Sequence, residues 1–129
     1  MYTCKSCEKD PSSHSFFKLH EIKQHGVFYS CDAESTDKDV DNIMQHIEGV
    51  LEEFHTKGET WEWIFDGKDF SISLHSIALS SRFIDLLKKY QHSLTKIHVI
   101  HTNEFVKTIF DMMTPFLNDQ LISIIHMKS

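Results

Sequence analysis

A chain of 129 residues, 40% hydrophobic and 25% charged, with 4 Gly and 2 Pro, has the size and composition of one globular domain, which sets aside disordered and fibrous classes. Its 13 Lys and Arg stand against 19 Asp and Glu, a formal charge of −6. No basic block tracks a phosphate backbone, so no nucleic-acid partner is expected.

In chain order, residues 1–13 carry Cys4, Cys7 and Pro11 with little apolar content and read as a flexible N-terminal arm; residues 14–129 read as a single domain. The β-prone runs Phe16–Leu19 and Val27–Cys31 flank Gln24-His25-Gly26, which predicts a hairpin or two adjacent strands. Val40, Ile43, Met44, Ile47, Val50, Leu51 and Phe54 recur at helical spacing, so an amphipathic helix is expected over about 37–56, capped by Thr36 and ended by Gly58. Trp61, Trp63 and Phe65 alternate with Glu62, Ile64 and Asp66 in a strand closed by Asp66-Gly67. A helix of about 75–90, capped by Ser73 or Ser76, follows. Lys96–His101 reads as a strand, Asn103 caps a helix that Pro115 stops, and Leu121–Ile125 reads as a last buried strand. Strands alternating with helices predict an α/β fold with a mainly parallel sheet covered by helices.

No apolar run reaches the ~18 residues that span a bilayer, so no transmembrane segment is expected. Three Cys cannot all pair within the chain and Met1–Lys5 is polar, which favours a reducing, cytoplasmic location. Ten His read most plainly as solvated side chains.

Several segments carry a resemblance. Trp63-Ile64-Phe65-Asp66-Gly67 is a hydrophobic strand ending in Asp-Gly; Lys89-Tyr90-Gln91-His92 precedes the strand Lys96–Ile100; Thr102-Asn103-Glu104-Phe105 opens a helix closed by Thr114-Pro115-Phe116-Leu117. In this order, residues 59–126 resemble the central part of a CRAL-TRIO domain, the lipid-binding fold of phosphatidylinositol- and tocopherol-transfer proteins. The Pro-Glu that follows Tyr in that family's turn is missing, and STAS domains, with a similar β-α order, are the second choice. The resemblance implies a non-enzymatic domain that binds a phospholipid or other small hydrophobic molecule along Trp63, Phe65, Val99, Phe110 and Phe116, with peripheral membrane contact compatible with it. It also implies that family elements closing the pocket lie beyond the last strand. Met112, Met113 and Phe116 are then expected to be uncovered and to favour a protein partner or homodimer, the adaptor alternative.

Cys4-x-x-Cys7 has the spacing of half a zinc site, with His14, His20, His25 or Cys31 as candidates to complete it; the competing readings are free thiols or a redox dithiol. A nucleophile elbow, phosphate loop, dinucleotide fingerprint and His-Glu-x-x-His helix are all missing from the sequence, and the nearest acid–base pairs, His20-Glu21, His46 with Glu48 and His101 with Glu104, fit a solvated surface as well as a catalytic one. No enzymatic role is expected.

Overall fold

The computed structural model describes residues 4–10 and 13–128. A short helix, α1 (Lys5–Lys9), lies within the segment expected as an arm and precedes a hairpin of β1 (Phe16–Ile22) and β2 (His25–Ser30). The hairpin loop is Lys23-Gln24, both at positive φ (52° and 63°), as a two-residue turn matching the strand twist demands. The turn therefore lies one step earlier than Gln24-His25-Gly26. Gly26 instead sits inside β2, where a Cβ would stand 2.6 Å from Cζ of Phe54; its glycine serves close packing, not chain reversal.

From β2 onward the chain alternates strand and helix: α2 (Val40–Thr56), β3 (Thr60–Asp66), α3 (Leu74–Lys89), β4 (Leu94–Ile100), α4 (Glu104–Met113), α5 (Asp119–Ser123) and β5 (Ile125–Met127). Spatial order equals sequence order, β1-β2-β3-β4-β5, antiparallel at the first pair and parallel thereafter. Right-handed crossovers that always step in one direction put every connecting helix on the same face. Register agrees: Phe28, Trp63, Ile97 and Ile125 form one row toward the helices, while Tyr29, Ile64, His98 and His126 form the next row toward the other face. Helices thus cover the expected mainly parallel sheet on one side. The other side, among the described residues, carries polar and aromatic side chains together with aliphatic ones such as Val27 and Ile64.

Each helix start has a local cause. The side chain of Asp39, not Thr36, accepts from the backbone N–H of Asn42 at the start of α2. The Thr36 hydroxyl is committed elsewhere, donating to Asp10 Oδ2 at 2.7 Å, so α2 begins at Val40. Gly58 at φ 70° lets the chain leave α2 toward β3. Ser73 and Ser76 together close a capping box on α3, and Asn103 caps α4 through the N–H of Val106.

The last element differs from expectation. Asn118 accepts from the N–H of Leu121 and starts α5, so Leu121 is buried as a helical residue while Ile122 faces outward; the strand begins only at Ile125. A short apolar run has no periodicity to separate helix from strand, and the cap decides it.

Trp61, Tyr90, Phe28, Ile43 and Leu51 are the largest fully buried side chains of the core. The two polar tips are satisfied: Trp61 Nε1 donates to Ser93 Oγ at 3.0 Å and the Tyr90 hydroxyl to Glu52 Oε2 at 2.6 Å.

Candidate ligand cavity and side-chain clusters

Between the sheet and α2, α3 and α4 lies a cavity of about 150 Å³ with an almost wholly apolar wall. Trp63 and Phe65 project into it from β3 and Val99 from β4, because alternate residues of those strands face the helices. Phe110 and Met113 reach it from α4, and Ile47 from α2. The Trp63 ring stacks on Phe83 at 4.4 Å between centroids and meets Phe65 edge-on at 5.6 Å. Its Nε1 donates to Ser30 Oγ at 2.7 Å, which leaves an apolar surface toward the cavity. Ser15, Ser30, Ser76, Ser80, Asp32 and His14 supply the polar part of the lining.

Four of the five residues expected to bind ligand, Trp63, Phe65, Val99 and Phe110, are brought together here. Phe116 is not: Pro115 opens a 3-10 turn over Thr114–Phe116, and the Phe116 ring is 61% exposed outside the cavity. Met113, expected to be uncovered, is buried, whereas Met112 is exposed. Two methionines adjacent on a helix point about 100° apart, so only one can share the apolar face.

On the helix-free side, parallel register joins acidic and imidazole groups far apart in sequence. Glu62 accepts from His98 Nε2 at 2.9 Å and lies 3.4 Å from His25 Nε2. Asp66 accepts from the Tyr29 hydroxyl at 2.6 Å, from the Lys68 N–H and from His101 Nδ1 at 2.9 Å. Sequence neighbours gave other pairs; His101 turns to Asp66, not Glu104. Burial raises both carboxyls, but these hydrogen bonds outweigh it and hold Glu62 below its ordinary 4.5 and Asp66 below 3.8. A depressed carboxyl pKa contributes stability above the unfolded value that is lost as pH falls through the folded one. The melting temperature should therefore fall as pH drops below about 4.5, and Glu62→Gln should flatten that fall; parallel melting curves from about pH 6 to pH 3 check it. Identical slopes would show that Glu62 is not held as described.

Cys4 and Cys7 meet two imidazoles. Cys7 Sγ lies 3.2 Å from His14 Nδ1 and 3.3 Å from His46 Nδ1, and Cys4 Sγ lies 3.6 Å from His14 Nδ1. The four donor atoms fall within 4.8 Å of one another, and the two rings stack at 4.5 Å. Burial lowers the pKa of both imidazoles and pushes the Cys7 thiol up to about 11. His14 was one of several candidates beside the cysteines. In the sequence His46 pairs with Glu48 as a group that fits a solvated surface; only the fold shows it buried under β1. His20 and His25 lie elsewhere, and Cys31 is buried with its thiol directed to the Lys68 carbonyl.

The family model of the CRAL/TRIO domain matches residues 5–129, nearly the whole chain. The chain belongs to the CRAL/TRIO family. A solved structure of the same fold, described as the crystal structure of Sfh5, superposes with a TM-score of 0.73 at 12% sequence identity, covering 91% of this chain and 49% of that one. The chain thus spans about half the length of that neighbour. No curated protein matches the sequence. CRAL/TRIO membership settles the choice against a STAS-like domain and agrees with the α/β architecture; the family's proteins are typically lipid-transfer proteins, not enzymes. No described helix is long and apolar enough to cross a membrane.

Proposed function

We propose that this CRAL/TRIO domain binds a small hydrophobic molecule or a lipid chain, without catalysis, in the cavity faced by Trp63, Phe65, Val99 and Phe110. The supporting observation is the apolar cavity itself, set between the sheet and its helices in a member of a lipid-binding family. Its size sets the expectation. About 150 Å³ accommodates a benzene-sized guest, whereas drug-sized ligands occupy roughly 300–1,000 Å³. A phospholipid therefore requires the cavity to widen, while a small apolar molecule does not. The binding unit in this reading is residues 14–129, with residues 1–13 an attached arm, and the free thiols of Cys4, Cys7 and Cys31 suit a reducing compartment such as the cytoplasm.

Titration with a fluorescent fatty acid, a labelled phospholipid and a small aromatic compound tests this. Saturable binding of at least one is expected, and Val99→Phe, which fills the cavity from the sheet side, should weaken it about tenfold or more while the fold is kept. No binding of any of the three counts against the reading.

A second reading, an interaction surface for a protein partner or a second copy, is favoured by the exposure of Phe105, Met112, Phe116 and Ile122 on α4, the turn after it and α5. A homodimer through this patch should appear in sedimentation equilibrium at micromolar concentration and split on Phe116→Glu. A mass matching one 15.1 kDa chain at every concentration rules it out.

A further inference from the structure

We propose that Cys4, Cys7, His14 and His46 form a tetrahedral Zn²⁺ site that fastens the N-terminal helix α1 to the hairpin and to α2. Zinc bonds of about 2.3 Å to sulfur and 2.0–2.1 Å to nitrogen place neighbouring ligand atoms of a tetrahedron about 3.3–3.8 Å apart. Three of the four S···N separations, 3.2, 3.3 and 3.6 Å, fall at or beside that range and the remaining donor pairs lie within 4.8 Å, so side-chain adjustments without a change of backbone separate this cluster from a coordination sphere. Two thiolates with two imidazoles are a donor set that selects zinc over hard cations.

The ring orientations point the same way. His46 Nε2 lies 3.2 Å from the Phe16 carbonyl oxygen, which can only accept, so Nε2 carries the proton and the Nδ1 lone pair faces Cys7. His14 Nε2 faces Asp37 Oδ2 at 3.4 Å, within ion-pair distance but without hydrogen-bond alignment; a carboxylate there likewise keeps the proton on Nε2 and turns Nδ1 to both sulfurs. Carboxylate or carbonyl behind each imidazole is the outer support that metal-bound histidines usually have. The sulfurs are supported too: the Cys7 backbone N–H donates to Cys4 Sγ at 3.3 Å, and Ser13 Oγ lies 3.5 Å from Cys7 Sγ. A redox dithiol accounts for the Cys-x-x-Cys spacing but not for two buried imidazoles converging on it.

Four protein ligands leave no open position, so the role is structural. α1 has only five residues and none of them is buried, too little apolar surface to hold it in place alone; the metal would supply the anchor. His14 also lines the apolar cavity, so the tie lies at that cavity's edge.

The full chain, kept reduced and stripped of metal with a chelator, is titrated with Zn²⁺ and separately with Co²⁺. One ion per chain is expected, with the intense d–d bands of tetrahedral cobalt and a sulfur-to-cobalt charge-transfer band. His14→Gln and His46→Gln should each abolish that tetrahedral spectrum, and Asp37→Asn should weaken zinc affinity about 10–100-fold. Because His46 is buried, Cys4→Ser, at a half-buried position outside the core, serves as the second variant: its circular dichroism should stay native while the cobalt spectrum is lost. Absence of a tetrahedral cobalt spectrum in the unmodified chain overturns the proposal. So does a spectrum unchanged in both folded histidine variants, and so does half an ion per chain in a dimer, which would assign the cysteines to a shared site.

Discussion

Ile47→Asp should unfold the domain or leave it close to unfolding. Ile47 is 2% exposed, sits in the middle of α2 and faces the cavity wall beneath the sheet, where no Lys or Arg among the described residues lines the wall to pair a carboxylate. Burying an unpaired charge, or neutralising it at the cost of an unmatched hydroxyl, removes about 4 kcal/mol or more from a total of about 5–15 kcal/mol. Loss of the cooperative thermal transition, or a large drop in its midpoint near neutral pH, is the expected result. A melting temperature equal to that of the unmodified chain would mean that α2 does not pack on the sheet as described.

A smaller change in a more crowded place should also be costly. At Gly67 a Cβ would stand 2.9 Å from the His101 carbonyl oxygen, 3.3 Å from that of Ile100 and 2.7 Å from Cγ2 of Val106. Two of these neighbours are backbone, at the point where β4 turns into α4, and the Gly67 N–H already donates to the Ile100 oxygen at 2.9 Å. They cannot yield as a side-chain tip could. Gly67→Ala should cost about 1–3 kcal/mol through overpacking, a fall of roughly 4–12 °C in melting temperature for a domain of this size. Gly58→Ala is a useful contrast: no atom lies within 4 Å of its added carbon, and any loss there reflects only its φ of 70°. An unperturbed Gly67→Ala would show that the ends of β3 and β4 are not packed this closely.

The Asp66-Gly67 pair shows what a sequence of this kind reveals and what it hides. As a motif it marked the end of a strand and carried part of the family resemblance, and the fold places it there. Its physical reason, the close approach of the next strand's carbonyls, is tertiary and invisible to local pattern. The same division runs through the chain. α2, α3 and α4 were legible because their apolar residues repeat at helical spacing and Ser73 and Asn103 are good caps. Asp39 was missed as the cap of α2 because Thr36 and Asp37 offer equally good local chemistry, and only the bond from Thr36 to Asp10 removes Thr36 from the role. Leu121–Ile125 was misread because a helix of one turn leaves no period to recognise.

The candidate sites divide likewise. Trp63, Phe65 and Val99 alternate along two strands, so their shared face followed from strand periodicity, and Phe110 followed from its helix. Phe116 follows Pro115 in a turn, where no periodicity fixes a direction, and it points outward. Cys4 and Cys7 were visible as a spaced pair, but His46 lies on another element and joins them only through packing. The pairs on the open face of the sheet, Glu62 with His25 and His98 and Asp66 with Tyr29 and His101, depend on inter-strand register, which no single segment specifies.

The central claim is that the apolar space under Trp63 and Phe65 holds a guest. Native mass spectrometry of the chain, purified from cells without detergent and then exposed to fatty acid and phospholipid, tests this most directly. The account predicts a population heavier than the 15.1 kDa chain by the mass of one apolar molecule, present on isolation or formed on exposure, and depleted in Val99→Phe. A bare chain under both conditions, from protein that melts cooperatively, would contradict it.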